Sequence, residues 1–451
     1  MHKRRTFRYH SVAKKNPFSG SPILPKRPMF NIHRFPPFGK RFFKRIRKLI
    51  GRGHISHLWR LVFALLALPG RKSLSQMTKL FGGRRTRQAI SHFLTAAEWN
   101  EKELLLDSAL TTLKQLGWTK KEQLYLVLDD TQKQKRGKQM DAVSKIFLHA
   151  EKVYAHGHTI LGAAFVYRGV VVPCAVRLWA SKGYCEKSKK GNNNHEHVDF
   201  KKLTELTAEV ITSIGEVEAI DVSKVIVLFD RFYLCDVVAN ACKNNGFTYI
   251  GAVKENRNFF PDGRPNDKRK MGKYTKNVLD REGRWVSIPG SRKEHCVAER
   301  VGTMAKLGRI KLAFSRRRGE RSRLIVATNN LRLGAKSLIE HYRHRWPIEI
   351  LFKMSKQHLG LGDYQFLRYT AVERYLHLVM ISHQFLTHLA MDRSSAKEQR
   401  KGRGTLRLAS VEKMQGIVRN MLIEDRIQSL AEGKKYREVA RKLKTVLVTN
   451  E

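Results

Sequence analysis

Acidic residues are scarce in this chain, and none occurs before Glu98. The 451 residues carry 88 Lys and Arg against 39 Asp and Glu, which gives a formal net charge of +49. A field of one sign concentrates polyanions and makes their binding strongly dependent on salt. A ribosomal or architectural protein would share this charge, so it indicates a polyanionic partner without indicating any chemistry.

Cysteine is also scarce. Five cysteines are scattered along the chain and none forms a CxxC pair, which argues against both a disulfide framework and a zinc site. We therefore expect buried or unreactive thiols at Cys174, Cys185, Cys235, Cys242 and Cys296.

No long apolar run is present either. The longest, Leu61 to Pro69, is far shorter than the roughly 20 residues that span a bilayer, and the basic, proline-containing start lacks the apolar core of a signal peptide. We therefore expect a cytosolic, nucleoid-associated protein with no membrane partner. A hydrophobic fraction of 42% nevertheless allows two or more domains with real cores.

The N-terminal region divides into a predicted flexible basic arm (1–56) and a predicted helical DNA-binding domain (57–120). Within the second, apolar residues recur at helical spacing on both sides of Gly82-Gly83. This pattern resembles a helix-turn-helix unit, although any helical hairpin would show it. Three arginines stand at the start of the second helix, where such units contact DNA: Arg84, Arg85 and Arg87.

Residues 121–253 have the pattern of an α/β fold. The apolar run LYLVL predicts a buried strand that ends at Asp129-Asp130, and VIVLF predicts another that ends at Asp230. Between them, His158 to Val166 and Val170 to Trp179 predict a hairpin around Arg168-Gly169. Acids at the ends of buried strands lie where a sheet presents ligands.

The remaining chain divides into a predicted β-rich insertion (254–320), a return to the main sheet (321–391) and a basic helical C-terminal region (392–451). In the third segment, Tyr342, Arg345, Glu349 and Lys356 return to one face of a helix. Pro347 interrupts that helix, so we expect a kink or a new helix start beside Trp346.

Three acids form the predicted catalytic and metal-binding set: Asp130, Asp230 and Glu349. Mg²⁺ or Mn²⁺ prefers such oxygen ligands, and two ions about 4 Å apart can support in-line displacement at a phosphodiester. Asp129 is a competing first ligand, on the opposite face of the strand.

The spacing Y-(2)-R-(3)-E-(6)-K, followed by LGLGDYQ and preceded by the blocks DDT and LFDRFY, resembles the DDE transposases of bacterial insertion sequences, in their insertion sequence 4-like branch. The resemblance runs from about Leu61 to Leu389 and favours Asp130, because it places the first acid immediately before threonine. It implies an RNase H-like core with an inserted β-rich module.

By this resemblance the protein binds double-stranded DNA at terminal inverted repeats, cleaves each end and joins the 3′ ends to target DNA as a synaptic homodimer. It implies that Tyr342 and Arg345 bind DNA phosphates near the element end and that Lys356 positions the terminal phosphate. For Trp285 it suggests stacking on an unpaired base, whereas the alternating segment GRWVSIP predicts a packing residue of the insertion.

Two other functions fit these residues: a metal-dependent nuclease that does not join strands, and a DNA-binding descendant of a transposase without catalysis.

Two further motifs give weaker indications of a functional site. His195-Glu196-His197 lacks a third metal ligand at suitable spacing, and Lys133 to Lys138 lacks the glycines of a phosphate-binding loop. We expect this lysine-rich segment to face DNA or solvent.

Overall fold

The structure is a computed structural model that describes residues 32, 34–51, 53–81, 86–137, 139–148, 152–189, 195–262, 266–394, 406 and 408–431. The described α-helices are α1 (Lys40–Ile46), α2 (Ile55–Ala67), α3 (Leu74–Lys79), α4 (Arg87–Thr95), α5 (Glu101–Gln115), α6 (Lys182–Lys189), α7 (Leu203–Gly215), α8 (Asp236–Asn244), α9 (Met271–Glu282), α10 (Ala335–Tyr342), α11 (Pro347–Gln357), α12 (Tyr369–Arg393) and α13 (Val411–Ala431). None of these helices is long and apolar enough to cross a membrane.

The described strands are β1 (Leu124–Gln134), β2 (Ser144–Leu148), β3 (Val153–Tyr167), β4 (Val170–Trp179), β5 (Val225–Phe229), β6 (Thr248–Ala252), β7 (Asn258–Pro261), β8 (Arg269–Lys270), β9 (Arg284–Val286), β10 (His295–Met304), β11 (Gly308–Arg317) and β12 (Arg323–Thr328). They form one mixed sheet in the order β2-β3-β1-β5-β6-β12-β11-β10-β7-β8, with β4 on β3 and β9 on β10. The predicted α/β class is confirmed.

The centre of the sheet is parallel and its two sides are antiparallel. β1 runs parallel to β5, and β5 runs parallel to β6. On one side β1 pairs antiparallel with β3, which forms the predicted hairpin with β4. The side chains of β1 alternate between two apolar cores, one on each face of the sheet. Both faces of the sheet are therefore covered by other elements.

The first strand is longer than the sequence predicts, since the predicted strand ends at Asp129-Asp130. β1 continues through Asp129-Asp130 to Gln134, because β3 pairs with it along this whole length, from Tyr125 opposite Val166 to Gln134 opposite Gly157. The two acids therefore lie inside a strand, and the long partner strand fixes their backbone.

The segment predicted as a separate β-rich insertion extends the main sheet. β11 pairs with β12, and β12 pairs with β6. The segment also contains α9, which packs on β10 and β11 and buries Val278 and Leu279.

The predicted flexible arm is folded over part of its length. Residues 1–31 lie outside the described residues, but α1 packs against the rest of the protein. Phe42, Phe43 and Ile46 lie on one side of α1 and are buried, and the Phe42 and Phe385 rings meet edge to face at 5.3 Å. The many cations and prolines of this segment predicted a flexible arm. Its apolar residues are nevertheless buried, because they pack against α12.

The helices predicted as a DNA-binding domain pack onto the rest of the fold through α12 and β4. Helix α12 lies at their centre and is buried from Ala371 to Met391. It contacts α2, α4 and α5, and α5 also packs on β4. Of the apolar residues that recur at helical spacing around Gly82-Gly83, Leu74 is half-buried and five are buried: Met77, Leu80, Ile90, Phe93 and Leu94.

Candidate active site

The middle of β1 and the end of β5 bring three aspartates close together. Parallel pairing of the two strands extends as far as Val127 opposite Leu228, after which β5 ends at Phe229 and Asp230 follows. Asp129 and Asp130 therefore continue past the end of β5, next to Asp230. This is the edge where parallel strands present ligands.

Asp129 and Asp130 point to opposite faces of β1, as the alternation of a strand requires. Asp129 lies opposite Gly162 of β3, and a Cβ atom on that glycine would lie 2.7 Å from the Phe352 ring of α11. Gly162 thus allows α11 to approach the Asp129 face closely.

Asp129 is held by two donors. One carboxylate oxygen accepts from the backbone N–H of Asp130 at 2.9 Å, and the other accepts from the Arg345 guanidinium at 2.9 Å. Burial raises the pKa of Asp129 to about 7, against the lowering effect of Arg345, while Asp230 and Asp130 add to the rise. The Arg345 cation therefore offsets part of the cost of a buried carboxylate.

Asp130 faces an open cavity of about 930 Å³, which Asp230 and Lys356 also line. Its Oδ1 accepts a hydrogen bond from the Tyr233 hydroxyl at 2.7 Å. The sequence analysis missed Tyr233, although it stands three residues after Asp230 in the block LFDRFY. Several polar and aromatic side chains complete the cavity wall: Gln132, Lys133, Gln134, Trp179, Phe200 and Phe232.

The segment with the Y-R-E-K residues starts a new helix at its proline. Helix α10 ends at Tyr342, a 3-10 turn covers Arg343–Arg345, and α11 begins with Pro347 in its first position. Proline suits that position because its missing N–H would have no helical partner there. The predicted helix start is confirmed.

All four signature residues lie close to the aspartates of β1. The Arg345 guanidinium donates to both Asp129 and the Glu349 carboxylate. Tyr342 is half-buried beside them, and its desolvation raises its pKa to about 12. Burial lowers the pKa of Lys356, Lys133 lowers it further, and Asp130 opposes the change. The structure thus brings the signature and the aspartates together.

The carboxylates fit a divalent cation in part. Asp130 and Asp230 present oxygen donors to one cavity, the donor type that Mg²⁺ and Mn²⁺ prefer. Glu349 is instead paired with Arg345, and among the described residues no three His, Cys, Asp or Glu side chains form a ready metal site. A three-carboxylate site therefore requires Arg345 to release Glu349.

Trp285 lies on β9, opposite Cys296 of β10, and 43% of its surface is exposed. The expectation from alternation that it packs in a core is wrong, because β9 is a short edge strand. The Arg318 guanidinium lies 4.5 Å from the centre of the indole ring.

Of the three predicted DNA-binding arginines, Arg87 is exposed in the first turn of α4, whereas Arg84 and Arg85 lie outside the described residues.

Each of the two weaker motifs contains residues that stabilise the fold, although Lys133 lies on the cavity wall. His195 Nδ1 lies 2.5 Å from the buried Asp141 carboxylate, and the Glu196 backbone N–H donates to the same group. Lys135 is buried rather than turned to DNA or solvent, and its ammonium donates to the carbonyls of Gly362 and Tyr364 at 2.7 and 3.0 Å. Long-range carbonyl partners explain this burial, which the charge pattern did not predict.

All five cysteines are free thiols; Cys235 is half-buried and the others are buried, as expected.

No curated protein sequence gives a significant match to the chain. Among solved structures, the chain is similar to the NurA nuclease from Sulfolobus solfataricus, with a TM-score of 0.20 and 9% identity over 50% of this chain and 72% of that one.

A family model described as DDE superfamily endonuclease matches residues 52–306. This stretch contains all three aspartates of the site and ends before Glu349. The mixed sheet with helices on both faces fits a nuclease-like DDE fold. Because the match spans more than half of the chain, the protein belongs to the DDE superfamily endonucleases.

Proposed function

We propose that this endonuclease is the transposase of an insertion sequence, which cleaves DNA at the two element ends and joins the 3′ ends to target DNA. The observation that carries the proposal is the convergence of the Y-R-E-K residues on the strand with the aspartates. Arg345 contacts Asp129 and Glu349, and Lys356 shares a cavity with Asp130 and Asp230.

In this proposal Asp130, Asp230 and Glu349 hold divalent cations, Mg²⁺ or Mn²⁺. Two such ions, when bound, activate the attacking oxygen and stabilise the leaving 3′ oxygen of an in-line displacement. Asp130 is the first ligand because it shares the cavity with Asp230. Asp129 orients Arg345 instead.

The cations around the carboxylates bind the DNA backbone. Lys356 lies on the cavity wall, where it meets the phosphate at the cut, and Tyr342 lies beside Arg345. A DNA phosphate that engages Arg345 replaces one of its carboxylate partners, which frees Glu349 for its role as a ligand.

The DNA partners of the proposal are the terminal inverted repeats and the target duplex. The helices within residues 57–120, including exposed Arg87, read the repeat, and the charge of +49 adds affinity that does not depend on sequence. Exposed Trp285 stacks on an unpaired base near the cut. Two ends must be paired, so the acting form is a homodimer.

The second candidate is a metal-dependent nuclease that cuts without joining, and the family match favours it equally, because that match concerns endonucleases. Strand joining separates the two functions. The test uses labelled duplexes of the inverted repeats that flank the gene, an unlabelled target plasmid and Mg²⁺, followed by mapping of the products at nucleotide resolution.

The transposase proposal expects 3′-end cleavage at the repeat boundary and covalent joining of the label to the plasmid. Asp230→Asn serves as the control, because it preserves the shape of the side chain and removes its charge. Cleavage without any joined product over a range of Mg²⁺ and Mn²⁺ concentrations would contradict the proposal and support the nuclease.

A further inference from the structure

Tyr233 contacts both aspartates of the cavity. Its hydroxyl donates to Oδ1 of Asp130 at 2.7 Å, and its backbone N–H lies 3.4 Å from Oδ1 of Asp230. Asp130 lies in β1 and Asp230 directly follows β5, about a hundred residues later in the chain. A single residue therefore connects the two carboxylates.

The loop after β5 determines this position. Asp230 Oδ1 accepts from the Phe232 backbone N–H at 2.7 Å, which turns the chain tightly just after the strand. The turn directs the Tyr233 ring back into the core beneath the sheet, where the side chain is fully buried. Phe232 remains half exposed in the cavity wall, and its ring meets that of Tyr233 edge to face at 5.0 Å.

Burial makes the Tyr233 hydroxyl a fixed donor. The ring cannot change position without opening a cavity in the packed core around Phe229 and Leu234. A hydroxyl held in this way restricts the Asp130 carboxylate to one orientation. Outer partners of this kind orient metal-binding side chains, and their loss typically weakens metal affinity by about 10- to 100-fold.

We propose that Tyr233 is a positioning residue, which fixes Asp130 relative to Asp230 and so sets the affinity of the cavity for a divalent cation. The inference rests on the proposed assignment of Asp130 and Asp230 as metal ligands. It does not depend on strand joining, because the contacts involve only the two carboxylates and the tyrosine.

The test compares Tyr233→Phe with the wild type in the full-length protein. Free Mn²⁺ is measured by electron paramagnetic resonance during titration of each protein without DNA, which gives a metal dissociation constant. The Mg²⁺ concentration for half-maximal cleavage is the second readout. We expect about a 10-fold or larger rise in both quantities, with much of the cleavage rate recovered at saturating metal.

Tyr375→Phe is the matched control. Tyr375 is also fully buried, and its hydroxyl lies within hydrogen-bond distance of the backbone carbonyls of Lys72 and Gly360, away from the cavity. This variant should lose thermal stability but keep the metal affinity of the wild type. A purely structural role for Tyr233 predicts the same behaviour for both variants, and that result overturns the inference.

A double variant, Asp130→Asn with Tyr233→Phe, tests whether Tyr233 acts through Asp130. If Tyr233 acts through Asp130, the double variant binds Mn²⁺ no more weakly than Asp130→Asn alone; additive losses contradict this route. Should the wild type join no DNA ends while its Mn²⁺ affinity still depends on Tyr233, the transposase proposal fails and the positioning role stands.

Discussion

Arg345 and Asp129 form a salt bridge of 2.9 Å across 216 positions of sequence, and the same guanidinium also donates to Glu349. The arginine that the sequence predicts as a phosphate ligand is thus neutralised by two carboxylates, and its side chain is mostly buried. A phosphate must compete with these partners for Arg345. DNA binding and the position of Glu349 are therefore coupled.

The two neighbouring aspartates should differ in their effects. Asp130→Asn, Asp230→Asn and Glu349→Gln should each abolish cleavage and leave binding of the element end intact, because the proposed metal ions serve chemistry rather than docking. Asp129→Asn should still cut. Cleavage and gel-shift assays on the same end duplex measure both properties. An inactive Asp129→Asn beside an active Asp130→Asn would make Asp129 the first ligand.

Arg345→Ala should weaken binding of the cut end by about 10- to 100-fold, because hydrogen bonds to charged groups contribute roughly 1.5–3 kcal/mol. Arg343→Ala is the matched control, since its guanidinium donates to the carbonyls of Pro289 and Gly290. Affinity and melting temperature are measured for both. A large fall in melting temperature with unchanged affinity in the folded fraction would make Arg345 a packing residue.

Stability should depend on pH through Lys135. Burial lowers the pKa of its ammonium to about 7, so between about pH 7 and 10 the unfolded chain binds a proton that the folded protein does not. The free energy of unfolding therefore rises with pH across that window and is lower at pH 7 than at pH 9.5. Denaturant unfolding at pH 7 and 9.5 should show the rise in the wild type and a smaller one in Lys135→Met. Exposed Lys145→Met should behave as the wild type.

Phe42→Ala should destabilise the protein by about 3–5 kcal/mol, the usual loss for a buried phenylalanine. Phe42 packs on Phe43, Phe385 and His388, although its segment reads as a flexible arm in sequence. Lys44→Ala, an exposed change in the same helix, should have little effect. Equal unfolding midpoints for the two variants would show that α1 does not stabilise the fold.

Removal of residues 1–31 should flatten the dependence of DNA binding on salt and retain the preference for the inverted repeat. These residues contain eight Lys and Arg and no acid, and phosphate contacts carry no base information. The truncation stops before the packed helix α1. Affinities for repeat and scrambled duplexes at several salt concentrations measure both effects, and a lost preference would assign sequence reading to the arm.

The sequence by itself determined the local elements. Apolar alternation and uninterrupted apolar runs predicted the β3-β4 hairpin and β5, because the spacing of buried residues depends only on backbone geometry. Pro347 predicted where α11 begins for an equally local reason, the missing N–H of proline. The mixed α/β class follows from these elements.

Only the tertiary structure decided which of these elements meet. Pairing of β12 with both β6 and β11 merges the predicted insertion into the main sheet. Packing on α12 makes α1, the described helix of the basic arm, part of the core. The contacts of Tyr233 with Asp130 and of Arg345 with Asp129 join residues far apart in the chain. Local periodicity encodes which face of an element is buried, whereas these partners depend on the order of strands and the packing of helices across the whole fold.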